Sequence, residues 1–237
     1  MGISVLACTG IILFSCKKTE RDSVVTPVDK VKSSKDARFD ATANIVGIDW
    51  SRQSANNFYY WSSAGVARFG TYLDTDPSGT STYSYTCATG KTPSQIAELI
   101  IDNSLNQVYA FYLDGTYSVG TSNDLDHYHS PVPYILPAGK TPYNIVGMVS
   151  LPVTTGNQIH VFYNDGTRSY GDPNNLNYVV ILGAYSLPPG KSYSDIIGMA
   201  VDRDSPITKL YTWYSDSTVS IGDFTDLDLF AAAVPFD

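Results

Sequence analysis

Four groups of side chains in this sequence have the types and spacing to do chemistry. Asp124-Leu125-Asp126, Asn175-Leu176-Asn177 and Asp226-Leu227-Asp228 set paired oxygens two residues apart, a beginning toward a Ca²⁺ site, which needs roughly six to eight oxygen ligands. His127-Tyr128-His129 places two imidazoles beside Asp124 and Asp126; on an extended segment both face one side, as in a zinc or copper pair. Glu98 is the only Glu after residue 38, and Cys87 is a thiol without a nearby His. Each group also has a structural reading. Asp and Asn bond neighbouring backbone N–H groups and build turns, which fits the replacement of both acids by Asn at 175 and 177. The His127 corner recurs nowhere else, which favours a solvated loop. Cys87 occupies the place of Leu136 and Leu187, as a small buried hydrophobe would.

Catalytic motifs are missing: no G-x-S-x-G elbow, H-E-x-x-H helix or phosphate-cradling Gly loop is present. The expectation is a non-enzyme without a cofactor. A structural ion near Glu98 or at the Asp corners, and a hydrolase using two carboxylates, are the alternatives.

These residues recur on a regular frame. The hairpin "YAFYLDGTYSVG" (109–120) has counterparts at 59–70, 160–171 and 211–222, and their closing glycines, Gly70, Gly120, Gly171 and Gly222, are 50, 51 and 51 apart. "NIVGIDW", "QIAELII", "NIVGMVS" and "DIIGMAV" precede the hairpins, with Ile45, Ile96, Ile145 and Ile196 spaced 51, 49 and 51. "YTCATGKTP", "YILPAGKTP" and "YSLPPGKSY" link the units. Each period predicts four strands: the IVG strand, the aromatic strand, the strand after the turn, and the Y-x-L strand. Four-stranded units repeating at about 50 residues indicate propeller blades. The fold class is therefore all-β, a four-bladed β-propeller over 41–237.

Two positions depend on that frame. Glu98 takes the place of Gly47, Gly147 and Gly198 in the strand expected nearest the axis, where one carboxylate can ligate an ion or water. In the aromatic strand Tyr109 and Phe111 face one side and Val108, Ala110 and Tyr112 the other, which commits the aromatics to packing between blades.

The first residues describe an address. "MGISVLACTGIILFSC" is a short apolar run ending in Leu13-Phe14-Ser15-Cys16, although no Lys or Arg opens it. It resembles a bacterial lipobox. The resemblance implies a signal peptide over 1–15, lipidation of Cys16 and membrane attachment through the lipid; "CKKTE" is similar to the start of many Bacteroidetes-type lipoproteins, implying the outer membrane or cell surface. Residues 16–40 are then a polar, flexible tether reaching about 80 Å when stretched. Cys8 leaves with the signal, so no disulfide framework is expected. Residues 17–38 carry net +3 and residues 39–237 net −11, a sign that repels nucleic acid.

The repeats, as in "GKTPYNIVGM…IHVFYNDGTRSYG" and "YTWYSDSTVSIGDFTDLD", resemble a tandem repeat of secreted bacterial proteins with the pattern GKTPxDIVG…VYAWYxDGTxSxGTSxDLD. The likeness covers about 195 residues. It implies the repeat architecture and no single ligand. Ser63-Ala64 and Ser217 depart from the pattern at the turn. The functional expectation is an envelope-anchored binding module for glycan or protein. The alternative is an assembly lipoprotein that docks envelope partners. Sugar-binding propellers use recurring Arg and Glu, and here Arg68 and Arg168 have no counterparts in the other blades.

Overall fold

Each repeat folds into one antiparallel sheet of four strands taken in chain order. The computed structural model describes residues 45–50, 57–74, 82–102, 106–153, 156–181, 184–202 and 207–236, all within the unit Lys32–Asp237. The signal segment, Cys16 and the tether lie outside the described residues.

Blade one comprises β1 (Ile45–Trp50), β2 (Asn57–Ser62), β3 (Val66–Thr71) and β4 (Tyr83–Ser84). Blade two comprises β5 (Ile96–Asp102), β6 (Gln107–Tyr112), β7 (Thr116–Gly120) and β8 (His129–Pro133). Blade three comprises β9 (Ile145–Val153), β10 (Gly156–Tyr163), β11 (Arg168–Asp172) and β12 (Asn175–Ile181). Blade four comprises β13 (Ile196–Asp202), β14 (Lys209–Tyr214), β15 (Thr218–Gly222) and β16 (Ala231–Pro235). The chain is an all-β, four-bladed propeller, as the period requires.

The first strand of every blade lies innermost: β1 packs against β5 and β13, and β9 packs against the same two. Alternation along the strands then divides the apolar residues between four inter-blade cores. Tyr109 and Phe111 enter the core shared with blade three, while Val108, Ala110 and Tyr112 enter the core shared with blade one. The ring closes in the same way. Ile48, Trp50, Phe58 and Tyr60 of blade one interlock with Ile197, Tyr211 and Trp213 of blade four, and Phe236 joins them. Among the described residues, no blade borrows a strand from another. Side-chain burial between blades holds the ring together with the linker bridges at Thr86, Ile135 and Ser186, and edge-to-face rings such as Phe58–Trp213 at 5.0 Å add to it.

Near the axis the blades approach so closely that a side chain becomes an obstacle. A Cβ on Gly47 would lie 2.5 Å from the Leu99 Cβ, and one on Gly147 or Gly198 would meet Met199 or Ile48 at 2.6 and 2.7 Å. In each case the side chain of the next blade fills the space.

The fourth strand differs from the sequence reading. It lies just before the Y-x-L segment, and Y-x-L itself is the connection between blades. Thr86, Ile135 and Ser186 each form a parallel bridge to the corner of the following blade, at Asp124, Asn175 and Asp226. The preceding Tyr turns inward: Tyr134 and Tyr185 donate their hydroxyls to the carbonyls of Tyr112 and Tyr163, at 3.1 and 3.0 Å. Tyr-x-Leu alternates like a strand because one side chain enters the core and the next does not, but its backbone partner belongs to another blade.

Candidate functional site

Among the described residues the inner strands bury four carboxylates, Asp49 and Glu98 within them and Asp102 and Asp202 at their ends, and the first two contact one strand edge. As the innermost strand of its sheet, β5 pairs only with β6, so its other edge offers N–H donors with no ladder partner. The Glu98 Oε1 accepts from the Leu99 N–H at 3.3 Å. Two residues further along the same edge, the Ile101 N–H donates to Asp49 Oδ2, which reaches across from blade one. Asp49 Oδ1 accepts from its neighbour's N–H, at Trp50, at 2.7 Å. Both residues are 0 % exposed. The arrangement satisfies edge donors at the seam between blades one and two with two buried carboxylates anchored to backbone N–H groups.

Sequence reasoning singled out Glu98 and missed Asp49. The signal was present: Ile100, Val149 and Ala200 stand at its register, so Asp49 is as singular there as Glu98 is among glycines.

The Asp corners follow the third strand of each blade, on its outer side, and the structure does not gather them with Glu98. Their geometry is forced by close backbone contact: a Cβ on Gly120, Gly171 or Gly222 would lie about 2 Å from the carbonyl oxygen of Asp124, Asn175 or Asp226. The middle Leu of each corner, Leu125, Leu176 or Leu227, is fully buried in an inter-blade core. In blade two, Asp124 Oδ2 contacts His127 Nδ1 at 3.3 Å, and Asp126 Oδ2 accepts from the Thr89 N–H at 3.2 Å. In blade four, burial and the neighbouring Asp226 raise the Asp228 carboxyl above its ordinary range.

His127 and His129 are not presented as a pair along one strand. His127 lies in the bend beside Asp124, whereas His129 begins β8 and stacks on Tyr117 at 6.2 Å between centroids. Among the described residues, no three His, Cys, Asp or Glu side chains are grouped to hold a metal ion. Cys87 is partly buried against the core between blades one and two, and burial followed by the nearby Asp126 charge pushes its thiol up to about 11.

The recurring Gly-Lys-Thr/Ser and Asp-Gly/Ser-Thr motifs meet in space. Lys91 binds Asp114, Lys140 binds Asp165 and Lys191 binds Asp216, each ammonium also lying over a Tyr ring, at 5.2, 4.7 and 5.0 Å from the centroid. Burial opposes ionisation of Asp165, but Lys140 and two hydrogen bonds from Thr167 outweigh it and hold the carboxyl down at about 2. This clamp locks each hairpin turn to the incoming linker. Blade one has Ala64 at the acid's position and, counting back from Ile45, Asp40 at the lysine's, so both partners are replaced together.

The aromatics of the second strands are enclosed, which removes them from any ligand: Trp61, Phe111, Phe162 and Trp213 are all 0 % exposed. Exposed apolar groups collect at matching places after the corners instead. Tyr128, Tyr178 and Phe230 each stand just before the residue that pairs with the end of the third strand, at Val119, Tyr170 and Ile221, and all three are exposed. No protein-family model matches the chain, and no curated protein matches it.

Proposed function

We propose that this chain is an exported lipoprotein, lipidated at Cys16, whose propeller acts at the outer membrane or cell surface as a non-catalytic binding module for glycan or protein. The observation that carries the binding reading is the pair of exposed side chains after the corners of blades two and four: Tyr128 and Phe230 stand just before His129 and Ala231, the residues that pair with Val119 and Ile221, and both face water. Exposed aromatic groups give a partner or a sugar ring a face to stack on, and rigid repeats are suited to presenting them. The lipobox resemblance and the likeness of the repeats to those of secreted bacterial proteins support the address. Buried axial carboxylates tied to backbone donors support structure more than turnover.

A second reading has its own support. Leu229, Phe230 and Ile135 are aliphatic or purely apolar surface groups, which fit a protein partner better than a hydroxyl-rich sugar. In that reading the module docks envelope proteins during assembly. A glycan array probed with the full chain and with Tyr128→Ala separates the two. Specific sugar binding that is lost in the variant supports the glycan reading. Silence on the array, with an envelope protein co-purifying and lost on Phe230→Asp, supports docking. Absence of both overturns the binding module.

A further inference from the structure

The four outer strands face solvent along one edge, and three of them are blunted. β4 is 2 residues long, β8 reads HSPVP with Pro131 and Pro133, and β16 reads AAAVP, closing on Pro235. Shortness and proline are the usual protections of an open edge, because proline lacks the N–H that an incoming strand would pair with. β12 has neither. Its 7 residues, NLNYVVI, contain no Pro, Gly or charge; one side pairs with β11, and on the other side Ile135 bonds the strand only at its start, around Asn175 and Leu176, so that among the described residues the stretch 177–181 has an open edge. Tyr178, Val179 and Val180 are 57, 39 and 38 % exposed. The Tyr178 hydroxyl donates to Asp172 Oδ2 at 2.8 Å, which holds the ring beside the edge.

We propose that β12 pairs antiparallel with β12 of a second copy, about a two-fold axis through Val179, joining the two third blades into one eight-stranded sheet. The strand is its own complement in this register. Tyr178 lies opposite the second copy's Val180, and the relation is repeated by symmetry. Val179 lies opposite itself, and Asn177 opposite Ile181. Aromatic against β-branched is among the favourable cross-strand pairs.

Charge selects the same place. Two bodies of net −11 repel one another over most approaches, whereas β12 offers seven consecutive uncharged residues, and the charges beside it on the adjoining strand, Arg168 next to Ile181 and Asp172 next to Asn175, cancel. Pairing about a two-fold consumes the edge on both copies, so association stops at two chains. Among the described residues, the other outer strands cannot extend it. This self-association is independent of what the corners of blades two and four bind.

Sedimentation velocity of the full chain tests the proposal, with Val179→Lys and Val179→Cys as variants. The wild type sediments as a dimer whose affinity rises with salt, since screening weakens the repulsion between like-charged bodies. Val179→Lys sets two ammoniums face to face on the axis and weakens the dimer by at least about tenfold. Val179→Cys is joined into a covalent dimer by a short bismaleimide, above the background from the native cysteines, whereas Leu229→Cys is not. Unchanged tryptophan emission in each variant shows that the fold persists. A monomeric wild type, a dimer indifferent to Val179→Lys, open-ended aggregation, or capture of an unrelated extended peptide on β12 in place of a second copy would each overturn the proposal.

Discussion

Replacing Asp49 tests whether the propeller axis is held by hydrogen bonds to an unpaired strand edge. Asp49→Val introduces the residue that stands at the same register in blade three, as Val149, so the new side chain suits a buried inner strand. What it removes is the acceptor of two backbone donors, Trp50 N–H and Ile101 N–H. A buried donor left without a partner costs about 1–3 kcal/mol, and bonds to a charged acceptor lie toward the upper end. Burying the carboxylate opposes this through its desolvation, and Val regains some apolar contact. The expected net loss is about 2–4 kcal/mol. Equilibrium urea denaturation can follow it through tryptophan emission, because Trp50, Trp61 and Trp213 are all buried in inter-blade cores. The midpoint falls while the slope is unchanged. Hydrogen exchange supplies the local signature: the Ile101 amide exchanges faster in Asp49→Val, and the Ile48 amide does not change beyond the global effect. A variant as stable as the wild type to within about 0.5 kcal/mol, with Ile101 still protected, refutes the reasoning.

Three further outcomes follow from the same structure. His160 is held neutral by burial and then by the Arg168 charge, which bring its pKa down to about 4 from an ordinary 6.5. Its folded pKa is depressed, so the unfolded chain binds the proton first. Stability is fully present above pH 6.5 and falls by about 3 kcal/mol toward pH 4. His160→Tyr, which installs the residue found at 59, 109 and 211, flattens the stability–pH curve across that window, and an unchanged slope contradicts the assignment. Ser217 sits in the hairpin turn of blade four at φ 62, where the other three turns have Gly. Ser217→Gly therefore raises stability by about 0.5–1 kcal/mol, read from the urea midpoint; a decrease would show that its hydroxyl contributes more than the strain costs. For the address, cells grown with a labelled fatty acid are expected to mark the wild-type chain and leave Cys16→Ser unlabelled and released from the membrane fraction. Label retained by Cys16→Ser would move the anchor elsewhere.

The blade architecture was legible because its signals are local and repeated. A two-residue alternation across Tyr109, Ala110 and Phe111 is enough to assign two faces, and the structure sends those faces to two different cores. The fourth strand was not, because Tyr134 and Leu136 alternate as convincingly as any strand. The partner of the intervening Ile135 is Asn175 of the next blade, and local periodicity carries no information about partners. Asp49 was missed for a related reason. The donor that explains it is the Ile101 N–H, 52 residues away, a backbone group with no mark in the sequence.

Comparison between copies recovers part of what periodicity lacks. The Lys–Asp clamp joins residues 23 or 25 positions apart in three blades, and in the first blade both members are exchanged at once. Joint loss within one repeat is what a direct contact produces, since a buried lysine stem without its acid loses the partner that offsets its desolvation. Applied to the axis, the same reasoning connects Glu98 with Asp49: each breaks an otherwise apolar or glycine column, and both bond donors along one edge of β5. Two departures that lie in neighbouring blades and meet at one seam are better explained together. The double variant Glu98→Gly/Asp49→Val should accordingly lose less stability than the sum of its single variants, because removing either carboxylate already loosens the edge that the other one holds.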